Sequence, residues 1–72
     1  MIIHLQSDSG VPFYIQIADA VRDEICRGRI VSGHKLPTVR ELASKLRVNP
    51  GTVVAAYDLL VADGILSSRQ GS

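Results

Sequence analysis

The stretch TVRELASKLRVNPGTVVAAYDLL, residues 38–60, constrains the fold more than any other part of the chain. Val39, Leu42, Ala43 and Leu46 recur at the i, i+3, i+4, i+7 spacing of one buried helix face, and Val53, Ala56, Tyr57 and Leu60 repeat that spacing. Between the two stripes, Asn49-Pro50-Gly51 would signal a turn if read alone. Asn, however, is among the strongest N-cap residues, and proline is preorganised for the first helical position. The tripeptide therefore starts a helix, and the turn falls before it, at Arg47-Val48. The preceding helix begins at a capping box, Thr38-Val39-Arg40-Glu41. There the Thr38 hydroxyl accepts from the Glu41 N–H and the Glu41 carboxylate reaches back to the Thr38 N–H.

These signals place helices at about 38–46 and about 50–63, joined by roughly three residues, which is the arrangement of a helix-turn-helix. An earlier helix, about 12–28, is predicted from Pro12 at its first position and from Tyr14, Ala18, Val21 and Ile25 as one apolar stripe. Asp23 and Arg27 form an i,i+4 pair in the favourable order, and Gly28 loosens the end. Ile30 to Pro37 is a connector, with Pro37 holding Leu36 extended. Ile2, Ile3 and Leu5 suggest a short strand or extended arm over residues 1–11, closed by the turn-prone SDSG. After Asp63-Gly64, a wing strand is expected at about 65–69. The fold class is mainly α, a three-helix winged helix-turn-helix over residues 12–72 with a short, truncated β-wing.

A chain of 72 residues is at most one small domain, and folding at this size buries only about 60% of the surface exposed when unfolded. Its hydrophobic content of 46% excludes disorder of the low-hydrophobicity kind. No apolar run approaches the ~20 residues of a membrane span, and MIIHLQSDSG lacks the basic start of a signal peptide, so the expected compartment is the cytoplasm. Cys26, His4 and His34 make no metal-ligand spacing, and Cys26 reads as a small apolar side chain on a helix. For an enzyme the chain offers no nucleophile beside a base, no Gly-rich phosphate loop and no carboxylate pair with a pocket; Asp19 and Asp23 read as a solvated helix face. Neither a cofactor nor a metal is expected.

The net charge of +1 conceals a division along the chain. Residues 1–26 carry −3, residues 27–47 carry +5, residues 48–64 carry −2, and Arg69 restores +1. Such a basic run is usually a solvated surface, but it can also supply sequence-independent attraction to phosphates. Arg40 lies off the apolar stripe of its helix, on the side that in a helix-turn-helix crosses the DNA backbone, with Lys35 and Arg47 flanking it in sequence. On the third helix, Gly51, Thr52 and Ala55 fall outside the core stripe, leaving a small polar outer face at the first turn. That face suits a recognition helix in a groove about 12 Å wide, with free N–H groups at the helix start for an anion. It also suits a plain solvated first turn, and geometry alone leaves the two open.

The segment GRIVSGHKLPTVRELASKLRVNPGTVVAAYDLLVADGIL resembles the N-terminal DNA-binding domain of the GntR family of bacterial transcription regulators. VPFYIQIADAV and NPGTVVAAYDLL look most like its YtrA-like subfamily, with the MocR-like branch nearby. The resemblance covers about residues 11–71 and implies a transcriptional regulator, a repressor by expectation, binding double-stranded operator DNA as a homodimer. Each recognition helix would lie in a major groove and each wing tip in a minor groove. It implies DNA contacts from Arg40 of LPTVR, from Asn49, Gly51 and Thr52, and from the wing tip at Gln70 and Gly71. The candidate DNA-contacting set is thus Lys35, Thr38, Arg40, Arg47, Asn49, Gly51, Thr52, Arg69, Gln70 and Gly71.

Three departures stand out. Many relatives carry arginines where this chain has Pro50 and Val54, which shifts the expected base recognition towards Arg40, the wing and DNA shape. Where the family commonly has Gly in the turn, this chain has Arg47; if left-handed, that residue is strained by about 1 kcal/mol, and a phosphate contact would offset the strain. Relatives also continue past the wing into an effector or dimerisation region, which is expected to lie outside the present residues; the effector itself cannot be read. The Ile2-Ile3-Leu5 arm and the Ile65-Leu66 segment are candidate association edges. The alternative function is a winged-helix module that binds protein without specific DNA binding, as the modest net charge would also suit.

Overall fold

The computed structural model describes residues 2–30 and 36–66, and in them the chain forms three helices and no strand. They are α1 (Phe13–Cys26), α2 (Val39–Leu46) and α3 (Pro50–Ala62). Helix α3 is the hub: the backbones of α1 and α2 each run close to it and not to each other. The fully enclosed side chains Ile17 and Val21 of α1 meet Val53 and Leu60 of α3, and Leu42 and Ala43 of α2 complete the core with Ala18, Leu36, Ala56 and Tyr57.

Each helix starts where its cap dictates. Thr38 Oγ1 accepts from the Glu41 amide at 3.1 Å while Glu41 Oε1 accepts from the Thr38 amide at 2.8 Å, so the expected capping box is complete. Asn49 Oδ1 accepts from the Gly51 amide at 2.8 Å, with Pro50 at the first helical position. Pro12 differs from expectation: it sits in the N-cap position with an extended backbone, φ −56° and ψ 144°, and Phe13 is the first helical residue. Helix α1 is also shorter than expected at its far end, closing at Cys26 rather than near residue 28.

All three helices end in the same closure. The amides of Gly28 and Arg29 bond back to Ile25 and Glu24, those of Arg47 and Val48 to Ser44 and Ala43, and those of Gly64 and Ile65 to Val61 and Leu60. This paired pattern requires a left-handed residue just past the helix. Glycine fills that position twice, with φ of 75° at Gly28 and 76° at Gly64, and Arg47 fills it once, at φ 58° and ψ 46°.

The expected wing strand is not present at its first two residues. The amides of Ile65 and Leu66 both bond to the Leu60 carbonyl, and both side chains pack against the core, so they belong to the closure of α3. The remainder of that expected strand, residues 67–69, lies outside the described residues.

The N-terminal segment is an arm without strand structure, and it is latched. Gln16 of α1 presents its side-chain amide to the arm as a neighbouring strand would present its backbone: Oε1 accepts from the Gln6 amide at 2.8 Å and Nε2 donates to the Gln6 carbonyl at 2.9 Å. Nε2 also donates to the Val11 carbonyl at 2.9 Å. Ile3 and Leu5 pack against the core below, while Ile2 stays exposed. The predicted stripe of α1 needs one correction. Tyr14 is 37% exposed, and Ile17 takes the buried position beside Ala18 and Val21.

Truncating Leu60, which is fully enclosed, removes a side chain that both partner helices depend on; Leu60→Ala is expected to cost about 2–5 kcal/mol in urea unfolding. Tyr57 donates its hydroxyl to the Pro37 carbonyl at 2.8 Å, and burial, with the Glu41 charge adding to it, pushes its pKa up to about 12. Because the folded phenol ionises later than the unfolded one, its contribution is complete below about pH 10 and is lost as pH rises towards 12. Denaturation midpoints measured across that window should fall more steeply for the natural chain than for Tyr57→Phe.

Candidate nucleic-acid interface

The turn between α2 and α3 brings the C-cap of α2, the cation Arg47, close along the chain to the N-cap of α3, Asn49. Arg47 precedes Asn49 by two residues, so their Cα atoms are at most about 7 Å apart. Arg47 is exposed, and among the described residues its guanidinium has neither a hydrogen bond nor an ion pair. Arg40, on the first turn of α2, is likewise exposed and without a side-chain partner among the described residues, as is Lys45 in the last turn. Among the described residues, none of these three cations is paired with an acid.

The rest of the basic run behaves differently. Arg27 bonds Asp23 at 2.9 Å, an interaction that raises its already high pKa further, and Arg29 approaches Glu24 at 3.7 Å. Two of the six cations between residues 27 and 47 therefore answer acidic groups on α1. The sequence run is thus not one continuous cationic patch. Among the described residues, its unpaired charge sits on the helix-turn-helix.

The caps themselves leave donors without a partner among the described residues. Thr38 Oγ1 accepts a cap bond and retains its own proton to give; Asn49 Oδ1 is engaged by Gly51, which leaves the Asn49 Nδ2 amide protons unused. Gly51 has a role the sequence did not disclose: a Cβ built there would stand 3.1 Å from Asn49 Oδ1, crowding the cap acceptor. Its absence keeps the cap intact as well as the outer face clear.

Tyr14, assigned to the core by its spacing, instead forms one wall of an open groove of about 510 Å³ between the first turns of α1 and α3. Pro12 and Phe13 lie on the same side, and Asn49, Gly51, Thr52 and Ala55 on the other. The Tyr14 hydroxyl has no hydrogen-bond partner among the described residues. Periodicity could not have found this residue. Its spacing gives the face of α1, but only the position of α3 tells that the face overhangs its partner there.

Of the candidate residues, the structure brings Asn49, Gly51 and Thr52 together at one end of α3, with Thr38, Arg40 and Arg47 on the helix that precedes it. Lys35, Arg69, Gln70 and Gly71 lie outside the described residues. No group of three or more metal-ligating side chains, and no helix long and apolar enough to cross a membrane, occurs among the described residues.

Comparison with known proteins identifies this geometry. Residues 13–72 match the model of the bacterial regulatory proteins, gntR family. The chain is 39% identical over 66 residues to the HTH-type transcriptional regulator YhcF of Bacillus subtilis, covering 92% of this chain and 54% of that protein. It is 37% identical over 70 residues to the HTH-type transcriptional repressor YtrA of the same organism, covering 97% and 54%. Among solved structures, YtrA from Sulfolobus acidocaldarius, a GntR-family transcription factor, superimposes with a TM-score of 0.86 at 44% identity, over 96% of this chain and 76% of that one. The chain thus spans about half the length of YhcF and of the Bacillus YtrA.

Arg47 offers a direct test of the strained turn. Arg47→Gly removes the left-handed penalty at φ 58° and is expected to raise stability by up to about 1 kcal/mol, read from the urea midpoint.

Proposed function

Because the chain belongs to the gntR family of bacterial regulatory proteins, we propose that it is a sequence-specific DNA-binding module of a transcription regulator, acting as a repressor. The observation that carries this reading is the set of unpaired cations on the helix-turn-helix, Arg40 and Arg47 above all, in a domain that pairs its other described arginines with acids. Groups with no structural partner are available to phosphates, and release of counterions by such contacts supplies most of the sequence-independent affinity.

In this reading α3 enters the major groove by its first turns, and its start, with the Asn49 Nδ2 protons, faces the DNA backbone. Arg40 and Thr38 approach phosphates or base edges from the start of α2. Arg47 approaches a phosphate from the turn, which offsets the strain it carries. The Tyr14 hydroxyl, across the groove from Thr52, adds a neutral donor to the same strand of DNA. Lys35 and the wing-tip residues Arg69, Gln70 and Gly71 complete the set, with the tip in the adjacent minor groove. Two copies of the whole regulator read two half-sites about one helical turn apart, in the cytoplasm, under an effector bound elsewhere in the protein.

Arg40→Ala is the decisive variant, since its side chain has no partner among the described residues. It should lower affinity for a selected operator by about 5- to 150-fold with an unchanged circular dichroism spectrum, and a phosphate contact would also reduce the salt slope by about 1. Unchanged affinity would refute the assignment of Arg40. Absence of any salt-dependent binding to duplex DNA at low ionic strength would refute the DNA-binding reading itself and favour a protein-binding module.

A further inference from the structure

Helix α3 carries almost no charge on either side. Its inner face, Val53, Ala56, Tyr57 and Leu60, is buried; its outer face carries Gly51, Val54 and Asp58 exposed, with Thr52 and Ala55 half-buried beside them. A surface helix normally turns charged and polar residues outward. Here Asp58 is the single charge in thirteen residues, and Val54 is 43% exposed in the middle of the face that meets DNA in the reading above.

Base-edge chemistry then limits what this helix can read. Guanine is recognised in the major groove by Arg or Lys on O6 and N7, and adenine by Asn or Gln presenting a donor and an acceptor to N6 and N7. None of those four residue types occurs in Pro50–Ala62. Asn49 precedes the helix, and its acceptor oxygen is held by the Gly51 amide, so two-point pairing with adenine would cost the cap. What the face does offer is methyl groups. The one apolar group that a base pair presents in the major groove is the thymine C5-methyl.

We propose that α3 selects its operator by burying thymine methyl groups against Val54 and Ala55, with the Thr52 methyl on the flank. Asp58, one turn beyond Val54, disfavours any docking that lays this part of the helix against phosphates, which holds Val54 over base edges. The proposal rests on the DNA-binding reading and gives the exposed Val54 an apolar reading role in place of a hydrogen-bonding one. Operators bound by this chain should contain thymines at the positions α3 covers, on either strand.

The test replaces single thymines by deoxyuridine in an operator selected from random duplex DNA by the full chain. The exchange removes the methyl group and leaves every hydrogen-bonding group in place. One or more positions should lose about fourfold in affinity in the natural chain, the value of one buried methyl. At the position Val54 touches, that loss should disappear in Val54→Ala, whose exposed site leaves the fold unaffected by circular dichroism. A selected operator whose thymines all tolerate uracil would overturn the proposal while leaving DNA binding intact, as would uracil sensitivity that persists undiminished in Val54→Ala. Failure to bind any duplex would instead refute the reading beneath it.

Discussion

Everything in this domain leans on one helix. The backbones of α1 and α2 each run close to α3 and not to each other, so the core of all three helices gathers on the inner face of α3, where Val53 and Leu60 are fully enclosed. A domain this small buries little surface, and among the described residues its buried side chains form one cluster. The helix that organises the fold is also the one that meets the ligand in the proposed function. Positional precision at its first turn is therefore inherited directly from core packing, which is more rigid than a loop could provide.

The second theme is how the chain divides its polar groups. Acidic residues of α1 take up Arg22, Arg27 and Arg29, and Arg22 further reaches Asp63 at the end of α3. Such exposed pairs contribute little stability individually. Their effect on the field is larger: they neutralise the flank of the domain and leave net positive charge on the helix-turn-helix. A chain with a net charge of only +1 can in this way present a locally cationic edge.

Much of this was legible in the sequence, for identifiable reasons. Caps are local codes, so Thr38 with Glu41 and Asn49 with Pro50 fixed two helix starts from a few adjacent residues. The left-handed Arg47 was likewise readable as a conditional, from the missing glycine in the turn. Long-range facts were hidden. Gln16 latching residues 6–11 leaves no periodic trace, because the partner is a backbone ten residues away whose path is set by Ile3 and Leu5 docking on the core. Tyr14 followed the right stripe yet stays exposed at the edge of the groove facing α3, since spacing gives direction and not the length of what lies opposite. Ile65 and Leu66 have strand-like composition, but their amides were already claimed by the end of α3.

The two-sidedness of α3 bears on how such a domain diverges. Its inner positions answer to both other helices at once and can hardly change singly. Its outer positions, among them Gly51, Val54 and Asp58, carry no packing duty beyond the cap clearance at Gly51. Selection can rewrite that strip residue by residue without disturbing the scaffold. A family built on this plan can therefore accumulate new target preferences at nearly constant stability.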